Sequence, residues 1–222
     1  GEDECVQMGA GSQLVCSFSH HTAAARATSA EFLVNANESL AEASAFFREA
    51  STIIITLGTA WTFRFNATGE IVSNCLKRDA KEFTRERLSL KTCSVLLNSL
   101  VGKYPQKRFI FTVSPIRHLK DGAHGNQISK STLLMAVESV VENHPDQCAY
   151  FPAYEIMMDE LRDYRFYAED MVHPSQQAVN YIWERFCDFA LPETERATLE
   201  KNRKAFLQSQ HRIITKLQNT DK

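Results

Sequence analysis

The sequence has six cysteines, at 5, 16, 75, 93, 148 and 187, but no C-x-x-C pair and no histidine at metal-ligand spacing from any of them. A disulfide framework or a structural zinc site is therefore not expected. There is no stretch of about 18 apolar residues, so no membrane-spanning helix is predicted. The opening Gly1-Glu2-Asp3-Glu4 has none of the features of a secretory signal. With 25 Lys+Arg against 27 Asp+Glu, no excess charge of either sign draws the chain to nucleic acid or an anionic membrane. Internal repeats and low-complexity tracts are also missing. These absences lead to the expectation of a reduced, cytoplasmic protein without metal or cofactor.

What is present suits a folded domain. Hydrophobic residues make up 44% and charged residues 23% of 222, and a chain of this length buries roughly 72% of its unfolded surface. Charge is uneven: residues 1–50 hold two basic and seven acidic side chains, residues 193–222 seven basic and four acidic. The asymmetry could steer a partner, but a solvated surface is the favoured reading. The first residue is Gly1 rather than methionine, which a start trimmed from a longer protein would explain.

Residues 28–50 read as an amphipathic helix. Thr28 and Glu31 have capping-box spacing, and Phe32, Ala36, Leu40, Ala43 and Phe47 recur at helical intervals. Thr52-Ile53-Ile54-Ile55-Thr56-Leu57, closed by Gly58, reads as a strand buried on both faces of a parallel sheet. Trp61, Phe63 and Phe65 alternate with polar residues before a turn at 66–69 and Ile71-Val72, which predicts a hairpin. A helix at about 89–102 precedes a second strand, Phe109 to Val113, stopped by Ser114-Pro115. A loop at 120–126, a helix at about 128–143 with Ile128, Leu133, Leu134, Val137 and Val140 on one stripe, and a third strand at Cys148 to Phe151 follow. After a helical turn through Glu155 to Leu161, a core helix beyond Pro174 carries Val179, Ile182, Trp183 and Phe186. The chain thus divides into an α/β domain over residues 1–190 and a helical tail over 191–222.

Alternating strands and helices predict an α/β fold with a parallel sheet, whose ligands bind beyond the carboxyl ends of the strands. Gly58-Thr59, Ser114 to His118 and Tyr154-Glu155 lie there. Gly58 lets backbone approach a ligand, and its N–H can face an oxyanion; Thr59 follows it as a substrate contact. Asn74 can add a side-chain amide or merely make a turn. Arg117 and His118 suit a carboxylate or phosphate. Ser114 lacks the G-x-S-x-G elbow of an exposed nucleophile. Cys75 beside Lys77 would be a thiol of lowered pKa only if a base stood near it. His118, His124 and His173 lack the spacing of a shared metal site. The strongest signal is Asp170-Met171-Val172-His173: a carboxylate three residues before an imidazole can orient it as a general base. The plainer alternative is that Asp170 caps a helix and His173 is a surface residue.

Several long blocks closely resemble the bacterial GSCFA domain family over roughly residues 17–190. They are Thr56 to Trp61, Ser73-Asn74-Cys75-Leu76-Lys77, Phe83 to Leu88, Thr112 to Gly122 and Tyr164 to Ser175. That family is similar to a branch of the SGNH/GDSL hydrolases, which implies a flavodoxin-like three-layer α/β/α sandwich and ester, lipid or carbohydrate-acetyl hydrolysis. The resemblance implies Asp170 and His173 as the acid–base pair and Gly58 as an oxyanion position. The superfamily usually has Asn two residues after that glycine. Here Ala60 stands there, leaving Asn74 as the substitute donor. The Gly-Ser-Cys-Phe-Ala motif, expected to hold the nucleophilic serine, is absent; Cys16-Ser17-Phe18 has the wrong order and no strand before it. The expectation is that the first strand and the serine lie upstream of residue 1, with no nucleophile in this chain. A sheet without that strand would expose an edge and favour a homodimer. The alternative is a non-catalytic module on the same fold, binding an anionic or carbohydrate ligand through Arg117 and His118.

Overall fold

The computed structural model describes residues 1–218, which form two compact units divided after Tyr154. In the first unit, three parallel strands lie in the order β3 (Thr52–Leu57), β7 (Arg108–Val113), β8 (Cys148–Phe151). Thr52 pairs with Arg108 and Leu57 with Val113; Phe109 pairs with Cys148 and Thr112 with Phe151. Helices α2 (Leu90–Lys103) and α3 (Gly122–Asn143) contribute Val101, Val137 and Val140 to a core with Phe109, Phe111 and Cys148. Ile53, Ile55 and Leu57 pack against it. This is the predicted α/β arrangement.

The Ile run departs from its prediction. Among the described residues β3 pairs only with β7, so it is an edge strand, and it alternates exposed and half-buried positions, with Ile54 54% exposed. β-Branched composition marks the strand, but only its neighbours decide whether both faces are covered.

Three further strands make an antiparallel sheet in the order β5 (Ile71–Val72), β4 (Trp61–Phe65), β6 (Phe83–Arg87). The hairpin was legible; β6 was not. It has one buried side chain, Phe83, and four polar residues, so it carries no period-two hydrophobic signal. Pairing to β4 makes it a strand, Phe65 opposite Phe83 and Trp61 opposite Arg87.

Helix α1 (Ser29–Glu49) starts where capping chemistry places it: the Thr28 hydroxyl accepts from the Glu31 N–H at 3.2 Å. Phe32 and Ala36 are buried, but Leu40 and Ala43 are exposed, so the apolar stripe is covered only near the N-terminus. Helix α3 begins at Gly122, six residues before the predicted start, and absorbs most of the expected loop. Its buried face includes Ser129 and Lys130, which a hydrophobic stripe cannot reveal.

At the N-terminus β1 (Val6–Gln7) and β2 (Val15–Cys16) form a small antiparallel pair, so Cys16 does lie on a strand, contrary to the sequence reading. Met8, Cys16, Phe32, Ala36 and Leu76 make a second core. Gly9 is required there: its N–H donates to the Leu76 carbonyl at 3.0 Å, and an added Cβ would lie 2.1 Å from the Lys77 oxygen and 2.4 Å from the Arg78 Cα. Both obstacles are backbone and cannot swing aside. Gly9→Ala should cost about 1–3 kcal/mol, as overpacked cores do, read as a lower urea midpoint with unchanged m-value.

The second unit starts at Glu155. The last residue of α4 (Ala153–Glu155) runs into a π-helical turn, Ile156–Leu161. Helix α5 (Gln176–Ala190) is capped by the Ser175 hydroxyl accepting from Ala178 N–H at 3.3 Å, so Pro174 precedes the cap rather than filling the first turn. Met157, Leu161 and Ala178 form its core. Val179 and Trp183, expected inside, are about half exposed, and Ala178 and Cys187 are the buried residues of α5. Helix α6 (Glu193–Gln218) follows, with Arg196 donating to the Asp188 carboxylate at 2.6 Å. The predicted tail ran to residue 222; residues 219–222 lie outside the described residues. Among the described residues no helix is long and apolar enough to cross a membrane.

Candidate functional site

Asp170 and His173 occupy a tight loop just before α5. Tyr167 bridges Pro174, and the Ala168 N–H donates to the His173 carbonyl at 2.8 Å. Met171 at φ 59° sits in the left-handed region that turns the chain between them. One carboxylate oxygen of Asp170 accepts the N–H groups of Val172 (2.9 Å) and His173 (3.0 Å). The other meets His173 Nδ1 at 2.6 Å. The two backbone N–H bonds, with the imidazole bond added, hold the Asp170 carboxyl down to about 2. An ionised carboxylate only accepts, so Nδ1 must carry the proton. In the neutral ring Nε2 then keeps its lone pair, and no described residue engages it. Both side chains are about half exposed. Thus Asp170 closes the turn and holds the imidazole at once, while the cap of the following helix is Ser175 rather than Asp170.

In the first unit, α3 organises the turn after β3. The fully buried Lys130 donates from Nζ to the carbonyls of Gly58 and Ser114, each at 2.6 Å. The Ser129 hydroxyl lies 3.0 Å from Thr59 Oγ1 and accepts the Ala60 N–H at 2.8 Å. Thr59 Oγ1 also accepts the Trp61 N–H at 3.2 Å. The Thr59 hydroxyl therefore braces the turn. His118 Nε2 donates to the Gly58 carbonyl at 3.2 Å, and its backbone N–H donates to Asn126 Oδ1 at 3.0 Å. Gly58 and His118 are thus brought together. Arg117 is half-buried and engaged within the protein. Among the described residues the N–H groups of Gly58 and Thr59 have no acceptor. A Cβ on Gly58 would come no nearer than 4.0 Å to His118 Nε2, so the space beside this backbone is open.

Asn74 sits in a separate loop. Its Oδ1 accepts the Leu76 N–H at 2.8 Å, and its own N–H, like that of Ser73, donates to the Phe18 carbonyl. Leu76 and Lys77 have φ of 52° and 56°, so the side chain supports a strained turn. Cys75 is not activated: burial pushes its thiol up, and all six cysteines are free thiols. Ser17 Oγ and His20 Nδ1 share a 2.6 Å hydrogen bond that the sequence did not announce. Ser17 is buried and also accepts the Ser19 N–H at 3.3 Å, so the pair closes a local turn.

The contributions of Ser129 and Lys130 were missed because both stand on a helix face read only for apolar residues. The one available signal was their position, two polar residues inside an otherwise buried stripe.

The model of the GSCFA family matches residues 3–186. No curated protein and no solved structure matches the chain.

Proposed function

The chain belongs to the GSCFA family, and on that premise we propose that it carries the base, the orienting carboxylate and the oxyanion donors of a serine hydrolase of SGNH/GDSL type. The fold in this proposal is the flavodoxin-like α/β/α sandwich of those enzymes, and the substrate is an ester or acyl group such as a carbohydrate O-acetyl. The observation that carries it is the 2.6 Å contact of His173 Nδ1 with an Asp170 carboxylate fixed by two further N–H groups. That arrangement leaves Nε2 as a proton acceptor.

A serine hydroxyl attacks the carbonyl carbon as its proton passes to His173 Nε2, and Asp170 stabilises the imidazolium. The oxyanion donors in this proposal are the Gly58 N–H and the Asn74 amide, whose Nδ2 remains a donor while Oδ1 holds the turn. Each such donor is typically worth about 2.7–4 kcal/mol. Collapse of the tetrahedral intermediate breaks the ester bond, and the departing oxygen takes the proton back from His173. Water repeats the cycle on the acyl-enzyme. The Gly-Ser-Cys-Phe-Ala motif is absent from the 222 residues, and the attacking serine is assigned to no residue of this chain.

The test is p-nitrophenyl acetate turnover by the full-length gene product. His173→Ala should lower kcat by about 10²–10⁴-fold, the range of general-base catalysis. Equal rates for the two proteins would overturn the assignment.

A further inference from the structure

We infer that Lys130 is the positioning residue of the oxyanion site, its ammonium fixing the Gly58–Thr59 peptide so that the Thr59 N–H joins that of Gly58 as a donor. The inference rests on the hydrolase reading for the identity of the oxygen received. The clamp itself rests on geometry alone.

The polar groups of the turn can be followed one by one. The Gly58 carbonyl is held by Lys130 Nζ at 2.6 Å and His118 Nε2 at 3.2 Å. The N–H of Ala60 goes to Ser129 Oγ, and that of Trp61 to Thr59 Oγ1. The Ala60 carbonyl receives the Leu88 N–H at 2.9 Å. Among the described residues two N–H groups are left over, those of Gly58 and Thr59, and they are consecutive. A trans peptide places C=O and N–H on opposite sides. Drawing the Gly58 carbonyl toward α3 therefore turns the Thr59 N–H away from it. Unengaged N–H groups are costly only where water is excluded, and Gly58 and Thr59 are both only half-buried. They can meet an anionic oxygen there.

Lys130 is unusual as the clamp. It is fully buried, and both oxygens it meets are backbone carbonyls rather than carboxylates. A lysine buried without a counter-ion costs free energy, so an ammonium at this point is explained by what it holds. Burial lowers its pKa to about 8. The ammonium form, which makes the stronger charge-assisted bonds, exists below that pH, and a neutral amine with two N–H donors above it. His118 shares the same carbonyl, the Tyr154 ring lies 5.9 Å from Nζ, and Asp121, at the start of α3, is ion-paired to Arg85. His118 is therefore the other titratable group acting directly on the peptide.

NMR on this chain tests the clamp without requiring catalysis. Between pH 6 and 10 the Gly58 carbonyl carbon and the Gly58 and Thr59 amide nitrogens should titrate with the Lys130 side-chain Cε, at one midpoint. The titration should persist in His118→Gln and vanish in Lys130→Met. If those backbone resonances do not follow Lys130 in the wild-type chain, the clamp is wrong, and no variant need fold to show it. A second arm measures p-nitrophenyl acetate hydrolysis by the full-length gene product. Lys130→Met should lower kcat by about 10²-fold with KM held, as expected for misplaced groups; an unchanged kcat would overturn the positioning role. Hydrolysis absent even from the unmodified protein would instead overturn the hydrolase reading, with the NMR titration still deciding the clamp.

Discussion

Asp170→Asn should lower ester turnover by about 10⁴-fold in the full-length gene product while the loop before α5 keeps its shape. The asymmetry comes from the two carboxylate oxygens having different tasks. One accepts the N–H groups of Val172 and His173, and an Asn carbonyl oxygen in that place accepts both as well. The other receives the His173 Nδ1 proton at 2.6 Å. In the variant that position holds an NH₂ group, which donates instead of accepting. The imidazole must answer with the lone pair on Nδ1, so the proton moves to Nε2 and the ring can no longer take one from a hydroxyl. Loss of the correct tautomer with geometry intact costs about 10⁴ in a hydrolase triad. Nitrogen shifts of the His173 ring would report the tautomer in the chain itself, and an unchanged Nδ1–H would refute the account.

The pH dependence follows from the same pair. With its pKa held at about 2, Asp170 is ionised at every pH where a hydrolase is assayed, so it does not set the acid limb of the rate. Its contribution to stability has the sign of a depressed carboxyl: fully present above the ordinary carboxylate range near pH 4, and lost as pH falls through about 2. The Asn variant should lack that acid-side loss, which unfolding measured between pH 2 and 5 would reveal.

The sequence signalled this pair because the interaction is local. Three residues separate Asp170 from His173, and a single turn closes the distance. Gly58 was equally legible, as the residue ending a β-branched run. What holds Gly58 was not. Lys130 lies 72 positions away in sequence and reaches the carbonyl only once β3, β7 and α3 are assembled. Asn74 shows the opposite case: the residue type allowed two tasks, and its neighbours Leu76 and Lys77, at positive φ, enlist its carbonyl oxygen for the turn. The fold divides in the same way. Strands with strong composition and helices with caps lie close to their predicted bounds. β6 exists only by pairing with β4, and the burial of β3 depends on neighbours that composition cannot supply.

Phe111→Ala should destabilise the first unit by about 3–5 kcal/mol, whereas Ile54→Ala in the same sheet should cost less than about 1 kcal/mol. Phe111 is fully buried at the middle of β7, between Ile55 on β3 and Tyr150 on β8. It stacks on Phe109 with ring centroids 6.0 Å apart and packs with Val101, Val137 and Val140. Both flanking ladders are continuous and two helices close the face, so the site cannot collapse around a methyl group. The lost transfer free energy is then joined by the cost of a persistent cavity. Ile54 has the larger β-propensity but is already half in water, and its removal leaves no enclosed void. Urea unfolding followed by far-UV circular dichroism separates the cases: comparable midpoints for the two variants would mean that the Phe111 site relaxes, or that the exposed face of β3 is covered in solution. Because β7 leads into Ser114, whose carbonyl Lys130 also holds, Phe111→Ala should disturb the Gly58–Thr59 amide resonances even at temperatures where the unit stays folded, and Ile54→Ala should leave the Ser114 end of the clamp in place.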